Sequence, residues 1–283
     1  MIKNLPKYLL FLMATFVIQK SVFAQFSTLE SFGAKSNSLS TISTTFKDIN
    51  AAYTNQAGLA FISGLEGNLS YENRFLALDL SAMNFAIAKK FGNLGSFGLC
   101  IKRFGISEFN EMLFGLSYAR KINSNTGIGI QINAYNLNIE NYGNKNAISF
   151  EAGILHDFSN KLSLGFHVSN PFPIKYTDDT DIPTIVSIGA EYNISENIKL
   201  FGEVEKHINY GFFVKSAIAY RPISVFAIYL GFKNDLNGYA DYGMGAMYAA
   251  TSNIKINFGT SYNITLGLSP SIGITYTSSK ELL

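Results

Sequence analysis

The chain has 283 residues, with 22 Lys and Arg against 20 Asp and Glu, and a net charge of +2. That balance offers no electrostatic case for a nucleic-acid partner. Hydrophobic residues make up 47%, yet beyond the amino terminus no run approaches the ~20 apolar residues of a membrane-crossing helix.

Residues 1–24 read as a secretory signal peptide. Lys3 and Lys7 form a positive start, Tyr8 to Ile18 an apolar run, and Val22-Phe23-Ala24 a small-residue site, with cleavage expected near Ala24. The mature chain is then exported. The single Cys100 excludes an internal disulfide and reads as a small lumen or core residue. Abundant glycine with scarce proline favours strands joined by tight turns.

From about residue 66 the chain alternates with period two. In NIKINFGTSY, Ile254, Ile256, Phe258 and Tyr262 share one face, while Lys255, Asn257, Gly259 and Ser261 share the other. About fourteen such segments follow one another, centred near 70, 85, 99, 115, 131, 151, 165, 188, 201, 216, 228, 245, 257 and 272. Most run about nine to twelve residues, the length of a tilted membrane-crossing strand. The expected architecture is all-β: an antiparallel barrel of about fourteen strands over residues 66–278, with a short tail at 279–283. Export, high aromatic content and few charges place it in the outer membrane, in contact with outer-membrane lipids, because a closed barrel leaves no unpaired backbone in lipid.

The motif of a small residue, two spacers and an aromatic returns at Tyr118, Tyr192, Tyr220, Tyr248 and Tyr276, the last four spaced by 28 residues. These tyrosines should point outward beside short periplasmic turns and form an aromatic girdle. Longer, polar external loops are expected at IENYGNKN and NPFPIKYTDDTDIP. The second of these, 170–182, is the best candidate for an interaction patch. Its Asp178, Asp179 and Asp181 lack the glycine turn and terminal Glu of a calcium loop. No metal site and no cofactor is expected.

The inward face carries the charges: Glu72, Lys102, Glu111, Glu151, Glu191, Lys199, Glu203, Lys215 and Lys255, with His167. They are candidates for contacts to a lumen ligand or to a plug. Glu191 and Lys199 flank one turn and should be cross-strand neighbours, and Glu203 and Lys215 near-diagonal. Ser149, Glu151 and His167 could mimic a nucleophile, orienter and base, but no nucleophile motif supports an enzyme. His156 should face lipid and His207 should lie on an external loop. Inward glycines are frequent: Gly98, Gly115, Gly127, Gly129, Gly153, Gly165, Gly189, Gly243, Gly245, Gly259, Gly267 and Gly273. Such positions permit close approach of another backbone.

Residues 25–65 do not alternate cleanly. Within them, FGAKSNSLSTISTTFKDINAAYTNQAGLA resembles the opening of FadL-type outer-membrane transporters and of the PorV-like barrels associated with type IX secretion. In those families a GA-x-S start leads to an Asn-Pro-Ala-Gly-Leu-like box, which here reads Asn55, Gln56, Ala57, Gly58, Leu59 and Ala60, with Gln56 in place of the proline. The resemblance implies a barrel whose residues 25–65 fold into the lumen as a hatch. It also implies two non-enzymatic roles. Short loops and a filled lumen favour an accessory subunit bound to other outer-membrane or secretion-complex proteins. The alternative is a plugged transporter for small hydrophobic molecules. An outer-membrane enzyme is the third and least favoured reading.

Overall fold

The structure is a computed structural model that describes residues 33–172, 174–175, 181–208, 211–235 and 238–278. The expected signal peptide (residues 1–24), residues 25–32 and the tail 279–283 lie outside the described residues, as do Tyr176, Asp178 and Asp179 of the long loop. Fourteen antiparallel strands close into one barrel. They are β1 (Leu65–Asn73), β2 (Ser81–Lys90), β3 (Ser96–Gly105), β4 (Phe109–Lys121), β5 (Thr126–Ile139), β6 (Gly143–Asp157) and β7 (Leu162–Ser169). After the long connection come β8 (Ile185–Asn193), β9 (Ile198–His207), β10 (Gly211–Ile223), β11 (Phe226–Asn234), β12 (Ala240–Ala249), β13 (Ile254–Asn263) and β14 (Gly267–Thr277). Each strand centre expected from the alternation falls inside its strand. β14 closes on β1, with Gly273 opposite Ser70.

Period-two alternation sets which side chains face out. Leu69, Ile130, Ile188, Leu230, Phe258 and Ile274 are exposed on the outer surface, whereas Asn68, Gln131, Ser187, Asn257 and Thr275 are buried on the inner one. The turn end of the barrel carries short connections such as 122–125, 158–161, 194–197 and 250–253. The other end is less uniform than its sequence suggests. IENYGNKN is not a long loop: only 140–142 turn, with Asn141 and Gly143 in left-handed conformations, and Asn144 already pairs with Asn138. β5 and β6 therefore continue as a hairpin above their neighbours. The long loop after β7 contains a two-stranded ribbon, Ile174–Lys175 with Asp181–Ile182.

Residues 33–62 lie inside the barrel as helix α1 (Ala34–Ser38) and two 3-10 turns, Ile49–Tyr53 and Gln56–Phe61. Their path follows the inward glycines. A Cβ built on Gly273 would sit 3.4 Å from Ala34 Cβ, and one on Gly259 only 2.4 Å from the Ala34 carbonyl oxygen. Continuing round the wall, Gly245 and Gly243 meet Ser38 and Ser40, Gly231 meets Leu39, and Gly189 and Gly165 meet Thr44. Gly153 meets Asn55, Gly129 meets Gln56 and Ala57, Gly127 meets Ala60, and Gly98 meets Leu59. As the segment advances toward its carboxyl end it runs back from the last strand to the third. Two expected inward glycines lie off this track. Gly115 packs on Cys100 and Gln131, and Gly267 begins β14 at positive φ with open space beside it.

A side chain on the track has no room. Gly165→Val would place its Cβ 2.4 Å from the Thr44 carbonyl oxygen, and overpacking of this kind costs about 1–3 kcal/mol. Gly202→Val, on the outer face with nothing within 4 Å, is the control. We expect the heat-modifiable gel transition of the folded barrel to drop several degrees for Gly165→Val and to stay in place for Gly202→Val.

Candidate functional site

The inward charges gather where the wall meets the inner segment. Glu151 on β6 is the first centre. Its Oε2 accepts from Gln56 Nε2 at 2.8 Å and contacts His167 Nε2 at 3.0 Å, while Oε1 accepts from Asn133 Nδ2 at 2.6 Å. Gln56, at the variant box position, thus ties the inner segment to the wall. Asn55 caps the 3-10 turn by accepting from the Ala57 amide, and its Nδ2 donates to the Thr44 and Ile154 carbonyls. Gly58 is required by contact: a Cβ there would lie 1.9 Å from the Phe46 carbonyl oxygen.

Lys215 on β10 is the second centre. Its side chain is fully buried, and its Nζ lies 2.9 Å from both Glu203 Oε1 and Glu205 Oε2. Glu203 Oε2 turns to the segment and accepts from the amides of Ser43 and Thr44 and from the Thr44 hydroxyl. Glu203 and Lys215 are directly opposed in register, not near-diagonal, and Glu191 and Lys199 are diagonal, not opposed, though ion-paired at 2.8 Å. The reason is the turn at 194–197, which sets Asn193 rather than Glu191 opposite Lys199. His207 is also corrected. It ends β9 rather than sitting on a loop, points inward, is 1% exposed, and contacts Glu205 at 2.9 Å.

The remaining predicted residues are distributed around these centres. Lys102 donates to the Tyr53 carbonyl at 3.0 Å, Glu72 lies 3.5 Å from Arg74 Nε, and Glu111 is buried on the inner face near the loop end. Ser149 is buried, but its hydroxyl has no hydrogen-bond partner, so no nucleophile–base contact joins it to His167. Among the described residues no three His, Cys, Asp or Glu side chains come together as a metal site. His156 is half-buried and bonded to Thr126 Oγ1 at 2.7 Å. Tyr192, Tyr220, Tyr248 and Tyr276 are exposed on the outer surface at the turn end, on every second strand, and Tyr118 donates there to the Leu94 carbonyl.

A chamber of about 400 Å³ opens at the turn end between the wall and the segment. Lys199 and Lys255, the first inward residues of their strands, line its mouth with Arg221, Glu196 and Asn197, while Phe201, Tyr229 and Met247 sit deeper, with Leu39 and Phe46 of the segment. Lys35 and Asp48 form an ion pair on its roof. Burial alone would raise the Asp48 carboxyl, but the Lys35 ammonium and hydrogen bonds from Lys35 and Asn50 hold it at about 2. Burial alone would lower the Lys35 ammonium, but Asp48, Tyr229 and Glu191 together raise it. A much smaller cavity of about 30 Å³ lies beyond residues 43–54, lined by Thr44, Tyr53, Lys102, Glu151 and Glu205. The sequence reading missed Lys35, Asp48, Glu66, Glu205 and Arg221. The period-two phase already put Glu66, Glu205 and Arg221 on the inner face, whereas no pattern marks Lys35 or Asp48.

No protein-family model matches the sequence, and no curated protein matches it at a significant level. Solved structures do match. The CymD monoaromatic hydrocarbon channel superposes with a TM-score of 0.67 at 12% identity, over 88% of this chain and 98% of that one. The Pseudomonas putida toluene transporter TodX gives 0.65 at 10% identity, over 89% and 100%. A Pseudomonas aeruginosa FadL homologue gives 0.62 at 12% identity, over 86% and 96%. What the chain shares with them is the fold of a FadL-type barrel.

Two outcomes follow. Lys215→Met leaves Glu203 and Glu205 facing each other in the lumen, and loss of one partner from a buried pair costs about 3–5 kcal/mol; the urea midpoint of the folded barrel in detergent should fall accordingly. For Asp48, the folded value lies below the ~3.9 of an unfolded carboxyl. Its contribution is therefore complete above that value and is lost as pH falls toward 2. The stability difference between wild type and Asp48→Asn should stay constant from pH 5 to 9 and shrink on acidification below pH ~4.

Proposed function

We propose that the protein is an outer-membrane barrel that passes small hydrophobic molecules and is closed at rest by residues 33–62. The chamber carries this reading. It offers an apolar floor behind a charged mouth, and it lies directly under the segment that fills the lumen. The exposed outer surface supports the membrane placement. Tyr276 and Leu268, the partner of Tyr262, are eight residues apart, which at ~3.4 Å per residue and a tilt of ~40° is roughly 20 Å, close to the ~25 Å apolar band of outer-membrane barrels. Of the structural neighbours, CymD is a monoaromatic hydrocarbon channel and TodX a toluene transporter. That supports the transport reading over the accessory one suggested by short loops.

The accessory reading retains one supporting observation. The lumen narrows to the cavity of about 30 Å³ above the chamber, as befits a barrel that need not conduct. Uptake separates the two. Cells carrying the protein in the outer membrane should accumulate labelled toluene faster than cells without it. Ala219→Phe, on the chamber wall opposite Lys199 and away from Glu151 and the Glu203–Lys215 pair, should cut the gain several-fold while gel mobility stays folded. Equal uptake with and without the protein, together with a stoichiometric protein partner after gentle purification, would overturn transport.

A further inference from the structure

We propose that one side of the loop-end rim, formed by residues 74–80 and 264–266, is buried in the acyl layer of the outer leaflet. The observation is an apolar lobe where a rim should be polar. Leu78 is 80% exposed, Leu76 64%, Ile264 58% and Leu266 53%. Leu80 is also exposed, and Asp79 is the sole charge from 75 to 80.

The lobe is held in shape rather than left free to fold inward. Phe75 and Leu76 both sit at φ 56, a left-handed conformation uncommon for bulky residues. The Phe75 amide donates to Ser269 Oγ at 3.0 Å, the Ala77 amide to the Arg74 carbonyl at 3.0 Å, and the Arg74 guanidinium lies 5.0 Å over the Phe104 ring. These contacts hold residues 74–76 against β14 just past the point where its ladder with β1 ends: the last pair is Glu72 with Ser271, and the next residue on β14 is Pro270, which has no amide hydrogen to donate. The leucines are therefore presented outward by construction.

Continuity names the occupant. Directly below the lobe, Tyr71, Met83, Tyr262 and Leu268 are exposed on the outer face of β1, β2, β13 and β14, and they belong to the same apolar belt as the rest of the barrel wall. Four to five strands round the wall, the loop-end surface is polar. There the outward positions of the β5–β6 hairpin are Asn136, Asn138, Asn144 and Asn146, with Asn136 bonded to Asn146 at 2.8 Å. The apolar boundary thus runs obliquely to the strand ends, high at β14–β1–β2 and low at β5–β6. A contiguous patch extending an established lipid-facing surface is covered most simply by the same lipid. The leucine lobe would then be submerged and the asparagine hairpin in water.

The inference rests on the reading of the barrel as membrane-spanning, and the test tells the two apart. The full chain with Cys100→Ala is placed in nanodiscs of palmitoyl-oleoyl phosphatidylcholine. It carries single nitroxide labels at Leu78→Cys, Leu266→Cys, Asn144→Cys or Ile130→Cys, each checked for heat-modifiable folding. Collision with oxygen, which concentrates in lipid, is compared with collision with a water-soluble nickel chelate. The oxygen-to-nickel ratio at 78 and 266 should exceed that at 144 several-fold and approach that at 130. A ratio at 78 and 266 equal to that at 144 overturns the proposal. So does exclusion of both probes there, which would mean that a second copy covers the lobe. A watery reading at 130 would remove the membrane reading itself and the proposal with it.

Discussion

Backbone resting on backbone is the contact on which the rest of the molecule depends. A closed barrel satisfies its own ladder but leaves an inner surface that must be filled without stranding polar groups. Here it is filled by a stretch of the same chain, brought to within contact distance by glycines at successive inward positions. At Gly165, Gly129, Gly243 and Gly259 the nearest atoms of the segment are main-chain atoms. Any side chain there would push the segment off the wall and break the hydrogen bonds that follow from its position. The glycine pattern is thus a template for one path, and the buried charges depend on that path being taken.

Those charges obey the usual rule for ions removed from water. A buried ion pair gains little unless its remaining lone pairs and protons also find partners. Glu203 has the full set: one oxygen on Lys215, the other on two segment amides and a hydroxyl. Glu151 likewise spends both oxygens on Gln56, Asn133 and His167. Glu66 accepts from the Ile49 amide at 2.9 Å and so helps satisfy the start of a 3-10 turn. The wall carboxylates therefore serve the segment's unpaired amides as much as they serve the lysines. Their first role is to define where the segment lies, and only through it do they bear on passage.

Most of the barrel was legible because one signal, apolar residues every second position, repeats in every strand and is imposed by a single cause: lipid-like contact outside, a polar lumen inside. The inward phase of Glu151, Glu203 and Lys215 came with it. Register did not. Glu191 with Lys199 and Glu203 with Lys215 lie in two different hairpins, each with its own register, and periodicity carries no information on either offset. His207 was misplaced because strand ends are the least patterned part of a strand. The chamber was invisible for a different reason. Lys35 and Asp48 meet through the course of residues 33–62, which is set by glycines two hundred residues away rather than by any local pattern.

The segment is not held uniformly. Residues 34–44 and 55–60 lie on the glycine track, where main-chain contacts leave no slack. Residues 45–54 leave it, and their bonds to the wall run through side chains: Lys47 to Asp157, Glu66 to the Ile49 amide, Tyr53 to Asn68, and Lys102 to the Tyr53 carbonyl. Both cavities border this same stretch, the chamber at Phe46, Lys47 and Asp48 and the smaller one at Tyr53 and Thr54. Joining them requires moving only this arch. Lifting the whole segment would expose the glycine track and leave Glu203 without its amide donors. Shifting residues 45–54 breaks fewer main-chain contacts to the wall, though it uncovers the buried side chains of Phe46, Ile49 and Tyr53. On the transport reading, the cheapest opening is thus a local one, and the two track-bound flanks are the hinges that make it reversible.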